Sequence, residues 1–316
     1  MAYERREFPE WSWSHSRRRM FQECPRMYFW QYYGSHNGWE DSALESARVA
    51  YRLKQLGTLP IEIGGAIHSA AAFAIQSARS GGGIPSLDTL RTKVANDLNR
   101  AYQESQDRSA WARRPRYRKM LHEFYYGTGL SDRDIEEARQ RVSTSLTNLI
   151  ASQSFREAIA APHVEVREVE RFDTFEFNGT PIHGVPDLLY RLVDNTWTVT
   201  DWKTGQEIVD WAQLGVYALY VQQRYSVPLP NIRARVEWLP TGNADERAFS
   251  ESELEAFRTS VQDSIGAMKS YLIDPDVNRP REREEFPLRE DLSFCRYCKF
   301  YELNEEEIAS RRPGPF

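Results

Sequence analysis

No run of apolar residues in the sequence approaches the roughly 18 to 20 that span a membrane. The amino terminus, Met-Ala-Tyr-Glu-Arg-Arg-Glu, lacks the apolar core of a secretion signal. These two absences predict a cytoplasmic protein with no membrane partner. Cysteine is scarce, with 3 in 316 residues. In a reducing compartment that excludes a disulfide framework and leaves Cys24, Cys295 and Cys298 in need of another account. There is no Gly-x-x-x-x-Gly-Lys-Ser/Thr loop, so any ATP-driven step would have to come from a partner. Repeats and low-complexity segments are missing too. Net positive charge is absent, the formal charge being -5. That argues against a protein that coats nucleic acid indiscriminately and leaves room for a local basic groove. Two basic clusters exist, Arg17, Arg18 and Arg19, then Arg113, Arg114, Arg116, Arg118 and Lys119; each reads equally well as a solvated helix face.

What is present describes a globular chain long enough for a substantial core in one large domain or two. Hydrophobic residues make up 41% and charged residues 28%; the aromatic share of 13% serves core packing and allows base stacking. Apolar residues recur at three and four residues over 12–33, interrupted near Pro25. Further helices are predicted over 44–56, 61–78, 87–106, 117–126 and 132–151. The Gly64-Gly65 pair allows a close approach near the start of the third of these, and Ser131 with Asp134 forms a capping-box pattern at the start of the last. From about Val164 the period becomes alternating, with strands over 164–170 and 172–177. A helix over 210–224, a strand over 232–239 and a helix over 252–272 follow, and 274–289 is expected to be irregular. The fold class is α/β, a mixed central sheet with helices on both faces and a large helical region covering one side.

The stretch His183 to Lys203 reads as a β-hairpin with turn chemistry at Asp194-Asn195 and apolar and β-branched residues over 185–193 and 197–200. Alternation puts Asp201 and Lys203 on one face. Asp187 joins that face only if it pairs with Asp201, which needs a three-residue loop, Val193 to Asn195. Asp187, Asp201 and the carbonyl of Trp202 would then suit a hard divalent cation, with Lys203 beside the attacking water.

Four motifs stand in order: Gly64-Gly65-Ala66-Ile67-His68, Gly184-Val185-Pro186-Asp187, Asp201-Trp202-Lys203-Thr204-Gly205 and Gln213-Leu214-Gly215-Val216-Tyr217. In this order the chain resembles the PD-(D/E)XK nuclease superfamily, in its branch related to the RecB nuclease domain and Cas4. The resemblance implies a restriction-endonuclease-like core and Mg²⁺ or Mn²⁺ as cofactor. It implies metal ligation by His68, Asp187, Asp201 and the Trp202 carbonyl, and catalysis by Asp187, Asp201 and Lys203. Gln213 and Tyr217 would line a nucleic-acid groove with Arg17 and Arg18, and Glu168 or Glu170 is a further acid on the preceding strand. Several members of the branch hold a [4Fe-4S] cluster on one early and three late cysteines; Cys24, Cys295 and Cys298 match three positions, and Asn304 stands where the fourth is expected. A cluster with a non-cysteine fourth ligand, a zinc ion, and thiols packed as small hydrophobes all remain open.

The chain is mapped as N-terminal helices carrying Cys24 (1–60), a helical region with the His68 motif (61–163), the nuclease core (164–273) and a cysteine-bearing tail (274–316), integrated into one nuclease domain. The expected activity is metal-dependent hydrolysis of DNA, as an exonuclease on single-stranded ends. Repair, recombination, CRISPR adaptation and phage defence are the settings, and a helicase or integrase-like protein the partner, that the resemblance implies. A catalytically silent binding or scaffolding subunit is the alternative from another class.

Overall fold

A computed structural model of the chain describes residues 5–160, 164–170, 173–184 and 186–311; Phe172 and Val185, both placed in strands from the sequence, lie outside them. The chain opens with β1 (Trp13–Ser14), α1 (His15–Glu23), α2 (Pro25–Phe29) and α3 (Glu45–Lys54). Six helices follow: α4 (Leu59–Arg79), α5 (Leu87–Ser105), α6 (Arg108–Arg113), α7 (His122–Tyr125), α8 (Asp132–Ala151) and α9 (Gln153–Ile159). The strands β2 (Glu165–Val169), β3 (Asp173–Phe177), β4 (Thr180–Gly184), β5 (Leu188–Arg191) and β6 (Trp197–Lys203) lead to α10 (Trp211–Tyr225). Then come β7 (Ile232–Trp238), β8 (Asn243–Arg247), α11 (Glu251–Lys269), β9 (Leu272–Asp274), β10 (Arg279–Pro280) and α12 (Glu305–Arg311).

The central sheet has the order β2-β5-β6-β7-β8. All its pairs are antiparallel except β6 with β7, where α10 provides the crossover that a parallel pair needs. Alternate residues of β6 serve two cores. Val199 joins Leu189, Ala234, Val236 and the α10 residues Leu214 and Ala218 on one face. Trp202 joins Leu188, Tyr190, the α4 residues Ile67, Ala70 and Ala71, and Phe155 of α9 on the other. Covered on both faces, β6 is buried along nearly its whole length, with Thr198, Thr200 and Asp201 as well as its apolar residues. A second sheet, β1-β4-β3, sits against the α10 side, with Trp13 buried there and its Nε1 donating to Ser264 Oγ at 2.6 Å. No helix among the described residues is long and apolar enough to cross a membrane.

Helix α4 starts where Thr58 accepts from the Ile61 N–H, with Pro60 in the first turn. Its buried alanines let it lie close to the sheet, and a side-chain carbon at Gly64 would come within 3.1 Å of Thr204 Oγ1. Ser131 and Asp134 form the expected capping box on α8. Four expectations need correction. Residues 117–126 do not make a helix: Gly57 N–H donates to Met120 O at 3.0 Å, and His122 N–H donates to Gly57 O at 2.8 Å. That long-range bridge takes backbone groups a helix would need, so a single turn, α7, remains, while Asp107 caps α6 upstream. The run 185–193 shortens to β5, because His183 and Gly184 belong to β4 in the other sheet and Pro186 has no N–H to offer a ladder. The helix over 252–272 ends at Lys269, and Leu272 begins β9, which pairs with β10 inside the stretch read as irregular. Ser152 caps an additional helix, α9, that sequence periodicity did not reveal.

The two ends of the chain meet at Arg26, which is 2% exposed. Its Nε donates to Phe286 O at 2.8 Å, and its Nη1 reaches Glu307 at 2.6 Å and Asn304 Oδ1 at 3.3 Å. Trp30 Nε1 donates to the same Asn304 oxygen at 3.0 Å. Removing one partner of such a network strands the others, a large effect in a buried site. Arg26→Met is expected to lower the unfolding free energy by about 3 kcal/mol. Chemical denaturation reads this, and a loss below about 1 kcal/mol would mean that the ends are held by other contacts.

Candidate active site

The β5–β6 hairpin sets the geometry. Leu188 pairs with Thr200, a register that carried one step further puts Asp187 opposite Asp201. The loop is Val193-Asp194-Asn195: Leu192 N–H donates to Thr196 O at 2.8 Å, Asn195 N–H to Leu192 O at 3.0 Å, and Asn195 takes a φ of 65°. This is a type I turn closed by a left-handed residue, the three-residue hairpin loop that the pairing requires, and asparagine tolerates that backbone. Both aspartates are buried, at 8% and 5% exposure.

Around them two groups of side chains form. In the first, His68 Nδ1 lies 3.0 Å from Glu170 Oε1 and 3.3 Å from Asp187 Oδ1, while its Nε2 is 3.0 Å from Trp202 O. The other Asp187 oxygen accepts the Trp202 N–H at 2.5 Å. In the second, Lys203 Nζ is 2.6 Å from Asp201 Oδ2 and donates to Gln213 Oε1 at 3.1 Å. Gln213 Nε2 in turn donates to the Tyr217 hydroxyl at 2.8 Å. Asp210 caps α10 through the Ala212 and Gln213 N–H groups and so fixes where this helix starts over the hairpin.

The ligand atoms of His68, Glu170 and Asp187 lie within 4.8 Å of one another, the one group of this kind among the described residues. One imidazole and carboxylate oxygens suit Mg²⁺ or Mn²⁺. An Nε2–H donated to the Trp202 carbonyl would fix the imidazole tautomer with Nδ1 turned to the two acids. The Trp202 carbonyl, expected as a ligand, is thus engaged by His68, and Asp201 stands beside the group with its carboxylate on Lys203.

Charge in this corner is poorly balanced without a cation. Burial, and then the neighbouring Asp187 charge, push Asp201 up to about 6 against the pull of Lys203. Burial opposes a charge on His68, yet Asp187 and Glu170 outweigh it and hold the imidazole well above its ordinary value. Burial, and the charges of Asp201 and Asp187, raise the Tyr217 hydroxyl well above the usual phenol range, so it stays a neutral partner for Gln213.

Of the two glutamates on the preceding strand, Glu170 reaches the site. A bulge between Val166 and Glu168 shifts the register, so that Glu168 faces Leu189 instead of Leu188. The same shift brings Glu170 across from Asp187, where its N–H donates to Asp187 O at 3.1 Å and its φ is 48°. Glu168 is buried one pair deeper and accepts from the hydroxyls of Tyr220 and Tyr225.

A model of the PD-(D/E)XK nuclease superfamily matches residues 12–303. The chain belongs to that superfamily. No curated protein sequence matches it at a significant level. In this nuclease-superfamily chain the mixed sheet with flanking helices is the restriction-endonuclease-like fold, and the gathered His68, Glu170 and Asp187 are its metal-binding candidates.

The remaining predicted residues lie apart. Arg17 and Arg18 are half-buried on α1, and Tyr217 is buried behind Lys203, so that it supports the lysine through Gln213. Cys24, Cys295 and Cys298 line one cavity of about 190 Å³ with Asn304. Burial first, with the two other thiols adding to it, pushes Cys298 up to about 12. A tetrahedral zinc site needs sulfurs roughly 3.8 Å apart by its bond lengths, and the three thiols do not all lie within 4.8 Å of one another. The Asn304 oxygen accepts from Arg26 and Trp30, and its Nδ2 donates to Phe300 O at 3.0 Å. The residues present therefore do not fit a fourth ligand, and the cavity is lined by thiols beside a hydrogen-bonded latch.

His68 and Asp201 both hold protons more tightly in the folded chain than in the unfolded one. Ion-free protein should therefore lose stability as pH rises from about 4 through about 6 and on past the His68 value, and Mn²⁺ affinity should rise over the same range as the protons leave. Calorimetric titration between about pH 6 and pH 8 in buffers of different ionisation enthalpy reads both affinity and proton release. Affinity that does not change with pH would separate the ion from these two groups. Glu170→Gln is expected to weaken Mn²⁺ binding by about 10- to 100-fold in the same titration.

Proposed function

We propose that the protein is a metal-dependent deoxyribonuclease of the RecB- and Cas4-like branch, acting as an exonuclease on single-stranded ends. The observation that carries this reading is Lys203 Nζ, 2.6 Å from Asp201 and 3.1 Å from Gln213, next to the His68, Glu170 and Asp187 group. A Mg²⁺ or Mn²⁺ ion bound there would polarise a phosphoryl oxygen and lower the pKa of a water. Lys203, paired with Asp201, offsets the negative charge that develops on the phosphate during attack. Gln213 and Tyr217 hold the lysine to one rotamer, and water attack needs no covalent intermediate. The His68 motif on α4 and the Gln213–Tyr217 pair on α10 support the branch. Arg17 and Arg18 near the α10 end support a nucleic-acid strand as substrate, and a helicase-like partner would supply its free end.

End-labelled single- and double-stranded DNA, incubated in Mg²⁺, in Mn²⁺ and in chelator, tests the reading. Single-turnover cleavage by Lys203→Ala is expected to fall about 10²- to 10³-fold, and Asp201→Asn to be slower still, with DNA binding in chelator retained by both. A ladder of single-nucleotide steps would establish exonuclease action. Binding with no turnover by the wild-type protein under any condition would move the reading to a silent binding subunit.

A further inference from the structure

Two cations, Arg17 and Lys54, lie over one tyrosine, and a third, Lys299, reaches the backbone of the second. Arg17, on α1, lays its guanidinium 4.0 Å from the centre of the Tyr32 ring and gives Nη1 to Ser12 O at 2.7 Å. Lys54, the last residue of α3, places its ammonium 5.8 Å from the same ring centre. Its backbone carbonyl accepts from the ammonium of Lys299 at 3.1 Å. All four side chains are half-buried, and none of the three cations forms an ion pair among the described residues. Elsewhere the basic side chains are commonly matched, as in Arg19 with Glu23, Lys119 with Glu62 and Arg26 with Glu307.

Burial and the neighbouring cations act on both ammonium groups. Burial, and then the Arg17 charge, hold Lys54 below the usual lysine range. Burial takes Lys299 down to about 8, with the Cys298 thiol pulling the other way and the Lys54 charge adding to the fall. Half-buried cations gathered without counter-charge are stabilised by an anion that approaches them.

The cluster adjoins the catalytic wall. His15, two residues before Arg17, meets Asp210 at 2.7 Å, and Asp210 caps the helix whose Gln213 holds Lys203. Ser14 pairs with His183 on β4, where the Arg17 charge is felt, and the next residue, Gly184, faces the Tyr217 ring.

We propose that Arg17, Lys54 and Lys299 form a phosphate site that seats a backbone phosphodiester of the bound strand outside the cleavage position. The site rests on the nucleic-acid reading above and adds residues from α3 and the tail to it. Phosphate contacts of this kind fix the register of a strand without reading its sequence.

A lysine footprint tests this without turnover, because the chain has only six lysines. Wild-type protein in chelator is treated with an amine-acetylating reagent, with and without a single-stranded oligonucleotide, and each lysine is read by mass spectrometry. Lys54 and Lys299 are expected to lose labelling several-fold, with Lys93 and Lys269 unchanged. Lys54→Gln is expected to reduce the salt dependence of oligonucleotide binding by about one phosphate contact, a slope of about 0.7. Unchanged labelling of Lys54 and Lys299 in protein that binds the oligonucleotide would overturn the site and leave the nuclease reading standing. Protein that neither binds nor cleaves any nucleic acid would overturn both. Equal protection by inorganic phosphate at the oligonucleotide's concentration would leave an anion site with no tie to the strand and overturn the assignment.

Discussion

Two carboxylates forced into one buried corner repel each other, and the surrounding side chains answer that repulsion. Like charges directly opposite on neighbouring strands are destabilising, the more so away from water. Asp187 and Asp201 face this because the hairpin register places them on one face of the sheet, under α10. Each has its own relief. Asp201 has the Lys203 ammonium, while Asp187 has the Trp202 N–H and the His68 imidazole. The helices bring these partners from opposite faces, α4 carrying His68 and α10 carrying Gln213, so both cores must form before the charges are balanced. The fold thus holds apart from bulk water a set of groups, His68, Glu170 and Asp187 among them, that could bind a metal ion.

Much of this was legible in the sequence where the signal is local. The Asp194-Asn195 pair announces a turn, and the parity of strand residues puts Asp201 and Lys203 together; the one open question, whether the loop has two residues or three, is answered by Asn195 in the left-handed region. Helix α4, with Thr58, Pro60 and its alanines, and α8, with its capping box, carry their boundaries in plain view.

What was not legible depends on distant contacts. The bulge in β2 has no local signature, yet one extra residue moves Glu168 and Glu170 from the face of Val166 to that of the aspartates. The segment 117–126 reads as helical until Gly57, more than sixty residues away, claims its backbone. Asn304 looks like a displaced cluster ligand in one dimension; in three it is the acceptor that joins Arg26 to Trp30.

The latch also sets an order in time. Arg26 and Glu307 are 281 residues apart. At synthesis rates of about 5 to 20 residues per second, the first helices wait roughly 14 to 56 seconds for the segment that buries them. The hairpin bearing Asp187 and Asp201 leaves the ribosome well before that moment, whereas Arg17 and Lys54 acquire Lys299 only at its end. During synthesis the chain therefore passes through a stage in which the strands bearing the two aspartates exist while Arg26 still lacks Glu307 and Lys54 still lacks Lys299.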